Sequence, residues 1–152
     1  MADNPNTQAT QQPPKPNPAL KKLDRLVGTW KASDPSGAGA IRGQVTFEWM
    51  EGGFFLMQHV DLGDSKGIEI IGYDEESKAL KSHYFGNMGS ILEYVYEVGD
   101  DTLTVSIDMP GVKGQFTGKF SDDGNTFTGS WEWTKDGVKM GYDATMTRVK
   151  SE

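Results

Sequence analysis

From Gly28 to Arg148, apolar and polar residues alternate with a period of two, and signals for turns recur about every ten residues. A period of two is typical of β-strands that have one buried face and one face in water. The turns are predicted at residues 34–39, 51–53, 63–67, 74–77, 86–89, 99–101, 108–111, 121–124 and 134–137. The sequence therefore predicts an all-β chain of about eight to ten antiparallel strands.

The second half of this pattern forms one consistent sheet, because residues that face each other in an antiparallel hairpin point to the same side. The predicted pairs are Tyr96 with Leu103, Ile107 with Val112, Phe120 with Asn125, and Trp133 with Val138. They place on one face Leu92, Tyr94, Tyr96, Leu103, Val105, Ile107, Val112, Phe116, Phe120, Phe127, Trp131, Trp133, Val138, Met140, Tyr142, Ala144 and Met146. Only one short helix is available to cover this apolar face, so we expect the sheet to close on itself as an antiparallel up-and-down barrel.

The strands between residues 41 and 86 are less regular, because apolar residues occur there at both odd and even positions and so on both faces of the sheet. The pattern leaves the orientations of His59 and His83 open. The residues that we expect to point inward in this part are Val45, Phe47, Trp49, Leu80, Ser82 and Tyr84.

The N-terminal part of the chain differs in composition from the rest. Residues 1–19 contain five of the seven prolines and no aromatic or branched aliphatic residue, which predicts a disordered tail. Leu20, Leu23 and Leu26 then recur at helical spacing before Gly28, which predicts one short helix. We expect residues 20–150 to form a single barrel domain.

Composition excludes several classes of function. The net charge of -7 argues against nucleic acid and anionic membranes as partners. The chain has no cysteine and only two histidines, so we expect no metal site. It has no secretory signal pattern and no apolar stretch of about 20 residues, which favours a soluble, cytoplasmic protein. The oligomeric state is not predicted.

The sequence Gly28-Thr29-Trp30 resembles the G-x-W signature that opens the first strand in lipocalins and other calycins. The resemblance implies that a basic residue of the last strand lies over the signature tryptophan. Arg148 is in the matching position and on the inward parity. A cation stacked on an indole stabilises the closed end of such a barrel by about 1 to 2 kcal/mol.

Residues 20–149 also resemble a bacterial family of uncharacterised calycin-like proteins that is distantly similar to nitrobindins. The resemblance rests on the segments from Trp49 to Leu62, from Ile71 to Leu80, from Gly86 to Gly89 and from Gly99 to Val105. Nitrobindins hold haem through a histidine near the C-terminus, whereas residues 84–152 of this chain contain no histidine. We therefore expect no haem and no other cofactor.

The inward aromatic residues are the most informative feature for function. Aliphatic side chains would fill a simple core, whereas buried Tyr and Trp need hydrogen-bond partners, so several inward tyrosines predict a cavity. Met57 and Met140 would supply flexible contacts. The residues that we expect to bind a small, largely apolar ligand are Phe47, Trp49, Tyr84, Tyr94, Tyr96, Phe116, Trp131, Met140 and Tyr142.

Two other functions stay open. One is an isomerase, cyclase or hydrolase that uses the same cavity, with Tyr84, Tyr94 or His59 as acid or base. The other is an assembly module, in which the barrel is filled by its own side chains and Phe54, Phe55 and Phe85 form an exposed apolar patch.

Overall fold

The computed structural model describes residues 13–33 and 41–149. Their ten strands form a closed antiparallel barrel in which strands adjacent in the chain pair and β1 also pairs with β10. The elements are the 3₁₀ helix η1 (Pro18–Leu26) and the strands β1 (Gly28–Ser33), β2 (Ile41–Trp49), β3 (Leu56–Leu62), β4 (Ser65–Asp74), β5 (Ala79–Gly86), β6 (Ile91–Val98), β7 (Thr102–Met109), β8 (Val112–Phe120), β9 (Thr126–Lys135) and β10 (Val138–Arg148). The prediction of an all-β closed barrel with one short helix is confirmed, and the architecture is consistent with a calycin-like fold. Residues 1–12 of the predicted tail and the predicted turn at 34–39 lie outside the described residues.

The predicted registers of the second half were wrong by two residues in every hairpin. The observed partners are Val105 for Tyr96, Gly114 for Ile107, Phe127 for Phe120, and Met140 for Trp133. One cause is turn length: the last hairpin turns on two residues, Asp136 and Gly137, which both have positive φ, instead of on four. A shift of two residues leaves every side chain on its original face, so the predicted inward face survives the error.

Helix η1 closes one end of the barrel. Its leucines Leu20, Leu23 and Leu26 are spaced by three, and a 3₁₀ helix has three residues per turn, so they form one row and all three are buried. Asn17 caps the helix, because its Oδ1 accepts a hydrogen bond from Ala19 N at 2.9 Å. The row of leucines supplies the floor of the barrel interior.

Trp30 lies at the centre of this closed end and is only 1% exposed. Its Nε1 donates a hydrogen bond to the Leu26 carbonyl at 2.8 Å, which ties β1 to η1. The guanidinium of Arg148 lies 4.2 Å from the centre of the Trp30 ring. Gly28 has a φ of 124°, and a Cβ at this position would lie 2.8 Å from Arg148 Nη1, so glycine is required for the arginine to reach the indole. The structure thus brings together the three residues of the signature.

Replacing Arg148 with lysine should lower the free energy of unfolding by about 1 to 3 kcal/mol, measured by urea denaturation. Arg148 donates hydrogen bonds to the carbonyls of Val27 at 2.5 Å and Arg25 at 2.7 Å, and a lysine lacks the planar fork that reaches both. Arg42→Lys is the matched control, because Arg42 is exposed near the other end of the barrel. Equal losses in the two variants would contradict this role of Arg148.

Candidate functional site

The barrel encloses a cavity of about 570 Å³. Its lining extends from Leu26 and Trp30 at the η1 end to the exposed residues Arg42, Ser65 and Lys135 at the other end. The volume falls within the range of about 300 to 1,000 Å³ that is typical of sites for small molecules. The interior is therefore only partly filled by the protein's own side chains.

The cavity has one polar wall and one apolar wall. Strands β3, β4 and β5 place Gln58, Glu69 and Tyr84 side by side in one row, and all three line the cavity. On the other side, Trp131 packs against Phe116 with ring centres 5.3 Å apart. The apolar wall formed by β7 to β10 also includes Val105, Ile107, Phe127, Ala144 and Met146. An interior of this kind suits a molecule that is mostly apolar and has a polar group on one side.

Seven of the nine residues predicted to bind a ligand line the cavity: Phe47, Tyr84, Tyr94, Tyr96, Phe116, Trp131 and Tyr142. Trp49 does not, because its Nε1 donates to Asp24 Oδ1 at 2.8 Å and holds the ring beside η1. Met140 does not either, since it lies near the start of β10 and is 41% exposed. Met57 also lies outside the lining, on the parity opposite to Leu56 and Gln58.

The two histidines lie on the outer face of the barrel. His59 Nε2 is 3.6 Å from Glu48 Oε1, and His83 Nε2 is 3.9 Å from Glu93 Oε2. Both imidazoles are roughly half exposed, and neither lines the cavity. His59 is therefore not an acid or base for chemistry inside the barrel. Among the described residues, no three His, Asp or Glu side chains are grouped closely enough to hold a metal ion.

Glu69 was not among the predicted site residues, yet it is 4% exposed and lines the cavity from β4. Its Oε2 accepts hydrogen bonds from Ser82 Oγ at 2.5 Å and from the Tyr96 hydroxyl at 2.6 Å. A glutamate beside isoleucines suggests an outward side chain, yet Ile68 is 40% exposed and Glu69 points inward. The inward orientation of Glu69 could have been predicted from its position in β4. Glu69 is two residues from the buried Ile71, so the two side chains point to the same side of the sheet.

Burial dominates the electrostatics of this cluster. Burial raises the pKa of the Glu69 carboxyl, and the hydrogen bonds from Ser82 and Tyr96 only partly oppose the effect. Burial likewise raises the pKa of Tyr94 and Tyr96, and a negative charge on Glu69 would raise both further. In the described part of the chain no cationic side chain forms an ion pair with Glu69. The cluster therefore makes Glu69 easier to protonate than an exposed glutamate.

Replacing Glu69 with glutamine should make the stability of the protein less sensitive to pH. The folded-state pKa lies above that of the unfolded chain, so the folded protein keeps a proton that the unfolded chain loses as pH rises. The free energy of unfolding therefore falls as pH rises from the unfolded towards the folded pKa, and Glu69→Gln removes this loss. Urea unfolding at about pH 4 and about pH 8 measures the effect. The free energy of unfolding of the variant, relative to that of the wild type, should be higher at the higher pH.

Glu97→Gln is the control for this prediction, because it replaces an exposed glutamate on β6. It should not reproduce the gain. If Glu69→Gln and the wild type lose stability in parallel between the two pH values, the electrostatic description of the cluster is wrong.

Comparison with known proteins gives no family for the chain. No protein-family model matches it, and no curated protein matches it. Within the described residues no helix has the length and hydropathy needed to cross a membrane.

Proposed function

We propose that the barrel binds a small, largely apolar molecule in its interior. The observation that supports the proposal is the cavity of about 570 Å³, which lies between two walls of large side chains. Protein interiors are normally packed to the density of organic crystals, so a space of this size is typical of a binding site and not of a simple core. A bound molecule would make contacts with both walls.

The chemistry of the walls supports an apolar ligand. Phe116 and Trp131 on one side present aromatic surfaces, and Tyr94 approaches Trp131 across the barrel with ring centres 5.8 Å apart. Aromatic side chains provide large contact areas at low cost in conformational entropy. The few polar groups, Gln58, Glu69 and the tyrosines, would orient the ligand, which is the usual division of roles in small-molecule sites.

The resemblance to proteins distantly similar to nitrobindins fits a ligand-binding barrel, but it does not extend to haem. The chain's two histidines, His59 and His83, both lie on the outer face. Neither could ligate an iron inside the cavity, so we derive no haem chemistry from the resemblance.

Catalysis in the same cavity is the second candidate, and the buried Glu69 is the observation that favours it. A carboxyl whose pKa is raised by burial can act as a general acid. Tyr84 and Tyr94, which also line the cavity, are the other titratable candidates. Recovery of a chemically altered ligand after incubation would support this candidate, and recovery of the unaltered molecule would support binding alone.

The three phenylalanines that the assembly hypothesis groups in one exposed patch lie at different places on the barrel. Phe55 lies over Gly72, where an added Cβ would come within 2.7 Å of the Phe55 ring. Phe85 instead pairs across the sheet from Ile68, towards the other end of β4. Phe54 is partly buried. The three phenylalanines therefore do not form one surface.

The test is equilibrium dialysis of the full-length chain against 2-isopropenylnaphthalene, a neutral hydrocarbon. The proposal predicts saturable uptake of one molecule per chain. Uptake that stays absent, or that rises linearly without saturation, would contradict it.

A further inference from the structure

The polar wall contains a buried hydrogen-bonding atom without a partner among the described residues, Oε1 of Glu69. Both hydrogen bonds to the Glu69 carboxyl, from Ser82 and Tyr96, end on Oε2. No hydrogen bond from the described residues reaches Oε1. A buried polar atom without a partner costs free energy, and in a native structure it usually indicates a missing water or ligand.

The two hydrogen bonds to Oε2 decide where a protonated Glu69 carries its proton. In a carboxylic acid the carbonyl oxygen is the better acceptor, so in the protonated form Oε2 is the carbonyl oxygen and the proton lies on Oε1. Glu69 lines the cavity and stands between Gln58 and Tyr84 in the row across β3 to β5. A protonated Glu69 would therefore present a hydrogen-bond donor to whatever occupies the interior.

We infer that Glu69 is protonated and that the cavity selects a ligand with an uncharged hydrogen-bond acceptor, such as a ketone or amide carbonyl, which accepts a hydrogen bond from Glu69 Oε1–H while the apolar body of the ligand lies against Phe116 and Trp131. This inference rests on the proposed function and narrows its ligand class.

Charged ligands fit the interior less well. Among the described residues, the cationic side chains that line the cavity are Arg42 and Lys135, and both are exposed near the end opposite η1. A carboxylate beside Glu69 would therefore lack a partner of opposite charge. An ammonium group would need an ionised Glu69 and would meet the cost of burying two charges.

The experiment measures dissociation constants by equilibrium dialysis of the full-length protein for four probes with one naphthalene body. They are 2-acetylnaphthalene, 2-isopropenylnaphthalene, 2-naphthoate and 2-naphthylmethylammonium. The first two have nearly the same size and differ chiefly in the carbonyl acceptor. The two probes differ in hydration, but this difference is the same for every variant. It therefore cancels when the ratio of their dissociation constants is compared between the variants and the wild type.

Glu69→Leu should reduce the preference for the ketone over the hydrocarbon by about fivefold, because it removes the donor. Glu69→Gln should retain the preference, because its amide oxygen can accept from Ser82 and Tyr96 while its amide nitrogen donates to the ketone. In the wild type, both ions should bind more weakly than the ketone.

Three other outcomes would overturn the inference. If the preference for the ketone over the hydrocarbon is the same in the wild type and in Glu69→Leu, then Glu69 is not the donor. The same holds if Glu69→Gln loses as much of this preference as Glu69→Leu does. Tightest binding of the ammonium probe would show an ionised Glu69. If both neutral probes bind and only the ratio fails, the proposed function stands without this refinement, whereas failure of every probe overturns both.

A second measurement needs only the wild type and covers the case in which Glu69→Leu does not fold. The infrared carbonyl stretch of bound 2-acetylnaphthalene should lie below its frequency in an alkane solvent, because a hydrogen bond weakens the C=O bond. A stretch at the alkane frequency would overturn the inference.

Discussion

Replacing Ala144 with tryptophan should weaken ligand binding by at least about tenfold while the barrel remains folded. Ala144 lies on β10 opposite Gly129, and it lines the cavity. An indole at this position would occupy the space proposed for the ligand. The cost of inserting a larger side chain is about 1 to 3 kcal/mol in a well-packed core, and existing free volume should keep it near the lower limit. Equilibrium dialysis with 2-isopropenylnaphthalene measures the effect.

Thr147→Trp is the matched control for this variant. Thr147 is on the same strand, pairs with Lys31 and is exposed on the outer face. An indole there adds the same surface without entering the barrel, so the affinity should stay within about twofold of the wild type. Equal loss of binding in both variants would show that the probe binds outside the cavity or that β10 is generally disturbed.

Replacing Trp30 with alanine should lower the free energy of unfolding by about 3 to 5 kcal/mol. Trp30 is the largest fully buried side chain, and it contacts both η1 and Arg148. Its removal creates a void at the closed end and leaves the Leu26 carbonyl and the Arg148 guanidinium without the indole. Urea denaturation followed by circular dichroism measures the loss.

Trp133→Ala is the comparison, because Trp133 lies near the other end of the barrel and is only partly buried against Tyr142. The same substitution there should cost less than half as much. A similar loss at both positions would contradict the expectation that the end closed by η1 contributes more to stability than the other end.

Much of the fold follows from sequence because the information is local and repeated. The period of two specified which residues of β6 to β10 face inward, and the shortage of helix required the sheet to cover its own apolar face. Registers were harder, because they depend on loop lengths. The two-residue turn at Asp136 and Gly137 uses positive φ at both residues, which the TKDG sequence does not by itself distinguish from a four-residue loop.

The candidate site was only partly predictable, because its polar wall depends on contacts between strands. Tyr84, Tyr94 and Tyr96 were found from their parity alone. Glu69 was missed, because a buried glutamate becomes plausible only when Ser82 and Tyr96 are seen to donate to it. Trp49 was misplaced for a similar reason, since its inward parity gave no sign of the hydrogen bond to Asp24 beside η1.

The most direct test of the central claim, that the interior binds a ligand, is native mass spectrometry of the full-length protein and of Ala144→Trp. Each is analysed as purified and after incubation with 2-acetylnaphthalene, and any copurified molecule is identified after denaturing extraction. We expect one small molecule per chain on the wild type, either copurified or added, and none on Ala144→Trp. A wild type that stays at its bare mass under both conditions, or equal uptake by the two proteins, would contradict it.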